Sequence, residues 1–205
     1  IWTRFSFAAE LCYDSRNMCA DYQMIETADA LQGLVAKIRN EPCMALDTEF
    51  VWERTFYARL GLVQVAIGSG SCFLLDPLSI GDLAPLGDVL ADPKITKILH
   101  DAPQDLMILK RATKSPVRTV FDTRIAAGFA GLSSFISLQK LVEVLLDVRL
   151  PKGHTRSNWL ARPLAVKQLE YAVDDVRYLT RLAEALRRRA HESGVEQWMA
   201  AELAM

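Results

Sequence analysis

Apolar residues recur along the chain at two spacings, and the change from one to the other organises it. From Thr27, a candidate N-cap, the positions Leu31, Leu34, Val35 and Ile38 fall on one helical face, and Asn40-Glu41-Pro42 ends the pattern. Three strand-like runs follow: Cys43 to Phe50, Leu60 to Ile67, and Ser71 to Leu75. Gly68-Ser69-Gly70 predicts a hairpin between the last two, and Asp76-Pro77 closes the third, so these runs predict an antiparallel meander. Beyond it the spacings alternate. A helix around Leu83 to Leu90, a strand at Ile95 to Leu99, a helix from Pro103 to Ala112, a short strand ending at Phe121 and a helix beginning near Asp122 predict βα units. Leu138, Leu141, Val142, Leu145 and Leu146 mark a helix from Ser137 to Leu146. Leu169, Val173, Val176, Leu179, Leu182 and Leu186 mark a final long helix from about Ala165 to Ala190. The first two dozen residues show no clear period and suggest no chemistry. The expected fold class is α/β: a mixed sheet, antiparallel first and parallel later, flanked by helices. Without an internal repeat or low-complexity linker, one domain is expected.

Composition narrows the class. Of 205 residues, 51% are apolar and 24% charged, the ordinary soluble globular range. No apolar run approaches the ~18 residues of a membrane span, and the opening residues lack a signal-peptide pattern, so no membrane partner is expected. The net charge of −1 does not announce a nucleic-acid binder, yet a basic rim around an acidic pocket would average to the same total. The cysteines at 12, 19, 43 and 72 form no C-x-x-C pair and have no histidine at zinc-like spacing. Cys43 and Cys72 sit in apolar runs and read as buried thiols in a reducing compartment, so a cytoplasmic location is expected. The chain opens on Ile1 rather than methionine, which fits a trimmed start.

Candidate chemistry begins at Ala45-Leu46-Asp47-Thr48-Glu49-Phe50, a buried-strand pattern carrying two acids. Residues two apart on a strand share a side, so Asp47 and Glu49 present both carboxylates to one place. In a partly dry site the pair would neutralise by proton uptake unless a cation or a ring of donors held it ionised. A strand end running into solvent explains the stretch equally well. Other acids stand where βα logic brings them near. In His100-Asp101-Ala102-Pro103-Gln104-Asp105-Leu106, Pro103 suits the first helical position, which puts Asp105 in the opening turn, directed at the strand ends. On the last helix Tyr171 and Asp175 lie four apart and share a face, whereas Asp174 points away and pairs with Arg177.

Together, Asp47-Thr48-Glu49, Asp105 in its His-Asp-Ala-Pro-Gln-Asp-Leu context, and Tyr171-x-x-x-Asp175 resemble the three motifs of the DEDDy 3′-to-5′ exonucleases, most closely ribonuclease D. Leu60-Gly61-Leu62-Val63-Gln64, Asp76-Pro77-Leu78, Phe121-Asp122-Thr123 and the run Arg156-Ser157-Asn158-Trp159-Leu160-Ala161-Arg162-Pro163-Leu164 are similar to that catalytic domain. The resemblance runs from about Tyr22 to about Trp198. The sister DEDDh group carries a histidine five residues before its last acid, and Glu170 stands there instead. The domain expectation is an N-terminal extension of unassigned role over residues 1–21 and an exonuclease domain over 22–205. Ribonuclease D proteins typically continue into helical HRDC domains, so the chain reads either as a compact catalytic member or as a piece of something longer.

The resemblance implies a ribonuclease H-like fold and a two-metal hydrolysis of RNA from its 3′ end, in structured, tRNA-like RNA processing. DNA is the nearest alternative substrate, and a catalytically weak nucleic-acid-binding module the second alternative. Two Mg²⁺ or Mn²⁺ ions are implied, and four carboxylates suit such hard cations. Asp47 would bridge both ions, Glu49 and Asp175 would complete the water-activating site, Asp105 would help hold the second ion, and Tyr171 would orient the attacking water. Substrate-contacting candidates are Phe50, to stack on or wedge a terminal base, Gln64, His100 and Asp122, and a phosphate-contacting patch of Lys152, His154, Arg156 and Arg162. Gln64 and Asp122 serve equally as braces, and Arg187-Arg188-Arg189 reads as a solvated helix face. The expected partner is a single-stranded RNA 3′ end, with a monomeric chain and no small-molecule cofactor.

Overall fold

A computed structural model describes residues 22–52, 56–151 and 157–204. Its elements, in chain order, are β1 (Tyr22–Ile25), α1 (Ala28–Ile38), β2 (Cys43–Val51), β3 (Arg59–Ile67), β4 (Ser71–Leu75), α2 (Pro77–Ile80), α3 (Ala84–Ala91), β5 (Thr96–Leu99), α4 (Pro103–Thr113), β6 (Val120–Asp122), α5 (Thr123–Phe129), α6 (Leu138–Leu146), α7 (Val166–Arg177), α8 (Leu179–Glu192) and α9 (Glu196–Leu203). The six strands form one sheet in the order β1-β4-β3-β2-β5-β6. The meander β2-β3-β4 is antiparallel, whereas β1 joins β4, β5 joins β2 and β6 joins β5 in parallel. This is the mixed sheet expected from the sequence.

Each face of the sheet buries its own apolar layer. On one side Leu46, Val63 and Leu75 pack with α1, α3 and Leu109 of α4. On the other, Ala45, Leu62 and Leu74 pack with Val173 and Val176 of α7, Leu182 of α8 and Leu141 of α6. Strand alternation therefore sends Asp47 and Glu49, like Ala45, to the α7 side. Register matters equally. β5 pairs only with Cys43–Ala45 of β2, while β3 follows β2 as far as Val51. The acid-bearing half of β2 thus has β3 along one edge and the opening of α4 beside the other.

Three elements were not foreseen. β1 is too short to display a period, α2 starts on the Asp76-Pro77 read only as a strand stop, and α9 lies beyond the predicted last helix. The predicted long final helix is also two. Tyr178 separates α7 from α8, with φ −99° and ψ −12°, and its N–H turns to the Val176 carbonyl. No proline or glycine announces this break. Packing decides it, since α7 lies across β2, β3 and β4 whereas α8 turns to meet α5 and α6. Arg187 is a correction as well: it is half-buried, its guanidinium 4.5 Å over the Phe121 ring, because α8 turns toward the sheet, where it meets β2 and β5.

Candidate active site

The strand acids meet the last helix as the chain's alternation requires. One carboxylate oxygen each from Asp47, Glu49 and Asp175 falls within 4.8 Å of the others. Asp175 is buried on α7 at 7% exposure, and Tyr171, one turn earlier, donates its hydroxyl to the Asp175 carboxylate. The Tyr171 ring lies 6.3 Å from that of buried Trp159.

Asp105 arrives from the opposite layer. It opens α4 beside the unpaired edge of β2, where the Thr48 hydroxyl and backbone N–H both donate to its carboxylate. Thr48 faces the α4 side because Asp47 and Glu49 face the other, so a single residue links the fourth acid to the strand that carries the first two. Asp105 lies outside the tight group of three, but its charge acts on Asp47, Glu49 and Asp175.

The electrostatics of the group are unfavourable for the protein alone. Burial, then the charges of Asp175, Asp105 and Glu49, push the Asp47 carboxyl well above the usual range. Burial followed by Asp175 and Asp105 pushes Glu49 up to about 8. Burial outweighs the Tyr171 hydrogen bond and lifts Asp175 to about 7, and it outweighs the Thr48 hydrogen bonds to lift Asp105 to about 6. Burial and the nearby acids also raise the Tyr171 phenol, so Tyr171 keeps its proton. A set of oxygen-only donors that resists ionisation unless positive charge is supplied fits a hard divalent cation.

The surrounding candidates divide. Gln64 sits directly across from Asp47 in the β2–β3 register, fully buried, with neither amide atom hydrogen-bonded. Phe50 is half-buried at the end of β2, its ring 6.3 Å from that of Trp52 in an edge arrangement. Three further substrate-contact candidates already bond within the protein. Asp122 accepts the backbone N–H groups of Asp101, Ala102 and Arg124, which caps α5 and fixes the turn before α4. His100 uses both ring nitrogens, Nδ1 toward the Thr123 hydroxyl at 2.9 Å and Nε2 toward the Ile136 carbonyl at 3.1 Å, and its burial lowers its pKa. Arg162 commits every guanidinium donor. Nε and Nη2 hold Asp76 at 2.7 Å each, Nη2 also holds the Gly61 carbonyl, and Nη1 holds the Trp159 and Ala161 carbonyls. Lys152, His154 and Arg156 lie outside the described residues.

Thr48 was missed by sequence reasoning, as was the fastening around Gly61. A Cβ added at Gly61 would stand 2.5 Å from the Trp159 carbonyl oxygen, so glycine alone lets the 157–163 segment sit directly on β3. The resemblance already contained Gly61, Asp76, Trp159 and Arg162, but their mutual contacts are long-range and left no local signal.

Known proteins resemble this chain in sequence and fold. Residues 22–191 match the family model described as 3′-5′ exonuclease. The chain belongs to that family. Ribonuclease D of Desulfotalea psychrophila is 49% identical over 180 residues, covering 88% of this chain and 48% of the relative. The crystal structure of Escherichia coli RNase D, described as an exoribonuclease involved in structured RNA processing, superposes with a TM-score of 0.80 at 39% identity, over 90% of this chain and 51% of that one. Brucella melitensis NrnC with bound Mg²⁺ superposes at 0.73 with 28% identity, over 89% of this chain and 87% of that one. The exonuclease chain thus spans about half the length of the ribonuclease D relatives it matches. Among its described residues, no helix is long and apolar enough to cross a membrane.

Proposed function

We propose that this exonuclease is a ribonuclease D-like hydrolase that removes nucleotides one at a time from the 3′ end of RNA, using two divalent cations, Mg²⁺ or Mn²⁺, at the acid cluster. The observation that carries the reading is the approach of Asp47, Glu49 and Asp175 to within 4.8 Å. Their raised affinity for protons is equally an affinity for metal charge, since both relieve the same repulsion. Asp47, Glu49 and Asp175 would hold one ion, and Asp47 with Asp105 the other. Bound dications supply a nucleophile from water near neutral pH and neutralise charge on the phosphate and the leaving 3′ oxygen.

The chain's own residues do the positioning. Thr48 fixes Asp105 toward the cluster. Tyr171 keeps its phenolic proton and donates it in a hydrogen bond to the Asp175 carboxylate, and its oxygen lone pairs are available to accept from the attacking water; as a phenol pushed above its ordinary pKa it orients rather than deprotonates. Trp159 beneath Tyr171 holds that ring in place and keeps bulk water from its inner side. Residues 22–205 act as the exonuclease domain in this reading.

The test uses 5′-labelled and 3′-labelled RNA and matching DNA oligonucleotides with Mg²⁺, with and without chelator. Stepwise shortening from the 3′ end, stopped by chelation and abolished in Asp47→Ala, is expected. Activity that survives chelation overturns the metal mechanism, and shortening of DNA in preference to RNA overturns the substrate.

A further inference from the structure

Away from the acid cluster, a groove of about 1050 Å³ lies between the outer face of α4 and a second wall made by Trp52, Phe56, Tyr57 and Leu60. Two kinds of side chain line it. Trp52, Phe56 and Tyr57 expose 47, 85 and 55% of their surface, which is unusual for aromatic residues. Lys110, Arg111 and Lys114 are exposed on α4, and Arg111 already stacks its guanidinium 3.5 Å over the Tyr57 ring. No acid lines the groove among the described residues. In a chain with 25 acidic and 24 basic residues that segregation is notable.

The groove is lined by residues further along the two elements, β2 and α4, that carry three of the four acids. β2 leads from Asp47 and Glu49 through Phe50 to Trp52, and α4 leads from Asp105 to Lys114. At 1.5 Å per residue, α4 places Lys110 about 7.5 Å beyond the fourth acid, and Lys114 follows at the C-cap of the helix. Aromatic faces beside phosphate-ready cations, without opposing carboxylates, match a polynucleotide single strand, whose bases stack and whose backbone is anionic. An acidic peptide would use the cations but not three exposed rings.

We infer that this groove is a track for the single-stranded RNA lying 5′ of the bond being cut, with Lys110 and Lys114 contacting phosphates and Phe56 and Tyr57 stacking bases. It rests on the reading of the acid cluster as a 3′-end hydrolase and adds to it a length dependence. A dinucleotide has a single phosphodiester and ends at the acids; a longer strand continues along α4.

The experiment measures binding by fluorescence anisotropy, with Mg²⁺, of a labelled 12-nucleotide RNA whose 3′-terminal linkage is a non-hydrolysable phosphonate. The Lys110→Gln/Lys114→Gln protein is expected to bind it about tenfold more weakly, with a salt dependence reduced by about 1.4 in log–log slope for two lost phosphate contacts. Phe56→Ser is expected to weaken binding about tenfold with the slope unchanged. Both variants should hydrolyse a dinucleotide at the wild-type rate, which also reports that they fold. Unchanged 12-mer affinity in both variants overturns the track and leaves the exposed rings to a protein partner. Equal losses on the 12-mer and the dinucleotide also overturn it. A wild-type protein that hydrolyses neither the dinucleotide nor an unmodified 12-mer sinks the exonuclease reading instead, while the binding series still decides the groove.

Discussion

Replacing Glu49 with glutamine should stabilise the metal-free protein at alkaline pH and leave it unchanged near pH 5. Glu49 has its carboxyl raised from 4.5 to about 8 by burial and by Asp175 and Asp105. The folded protein therefore holds a proton there that the unfolded chain releases above pH 4.5. Stability contributed by that proton is present at low pH and lost as pH rises through the window up to about 8. At about 1.4 kcal/mol per pH unit of separation, the penalty at pH 8 approaches ~4 kcal/mol, and relaxation of the site reduces it to about half that. For a domain of this size, about 2 to 4 °C in Tm accompanies each kcal/mol. Glu49→Gln, which removes the charge and keeps the shape, should then raise the Tm of chelator-treated protein by about 4 to 8 °C at pH 8 and by little at pH 5. Saturating Mg²⁺ should erase the advantage or reverse it, because a bound cation uses the carboxylate. The assay is thermal unfolding of both proteins from pH 5 to 8.5, with chelator or with Mg²⁺. A variant less stable than wild type at pH 8 in chelator would refute the account of the cluster as mutually repelling acids.

Other outcomes follow from the same contacts. Tyr171→Phe removes the hydrogen bond to Asp175 and any orientation of water; kcat should fall about ten- to a hundredfold while calorimetric Mn²⁺ binding persists. Gly61→Ala drives a methyl group into the Trp159 carbonyl; urea denaturation should show a loss of about 2 kcal/mol, and activity should fall as the support under Tyr171 shifts. Arg162→Met leaves Asp76 buried without its partner and should cost about 3 kcal/mol in the same denaturation. Although burial alone would raise the Asp76 carboxyl, hydrogen bonds from Arg162, Leu78 and Ser79 hold it below its ordinary value. Wild type should therefore lose this contribution as pH falls below about 4, and Arg162→Met should show a flatter acid limb.

Strand and helix periods expose the meander, the βα order and the faces on which Asp47, Glu49, Tyr171 and Asp175 lie, because each is a local repeat of two or of three to four residues. The same periods are blind to how a side chain's bonds are used across the chain. Arg162, His100 and Asp122 look like polar residues ready for a substrate, yet each meets protein partners at least 20 residues away in sequence. The division at Tyr178 was illegible for a related reason. Leu179, Leu182 and Leu186 continue the apolar stripe of α7 without interruption, and only the two different surfaces beneath α7 and α8 separate them. Asp105 was placed correctly in its opening turn, but its tie to Thr48 depends on β5 ending short of β2's acids, a register that no single strand reveals.

The seat that Gly61 leaves for Trp159, clamped by Asp76 and Arg162, ties the chain just ahead of α7 to β3 and to the start of α2. The polypeptide ahead of Ser157 and the shorter piece that follows are complementary parts of one fold. If the backbone were severed between Leu146 and Ser157, the first fragment would keep Asp47, Glu49 and Asp105 and the second Tyr171 and Asp175. The apolar layer they share would draw the two together, and catalysis would become a readout of complementation between separately expressed parts.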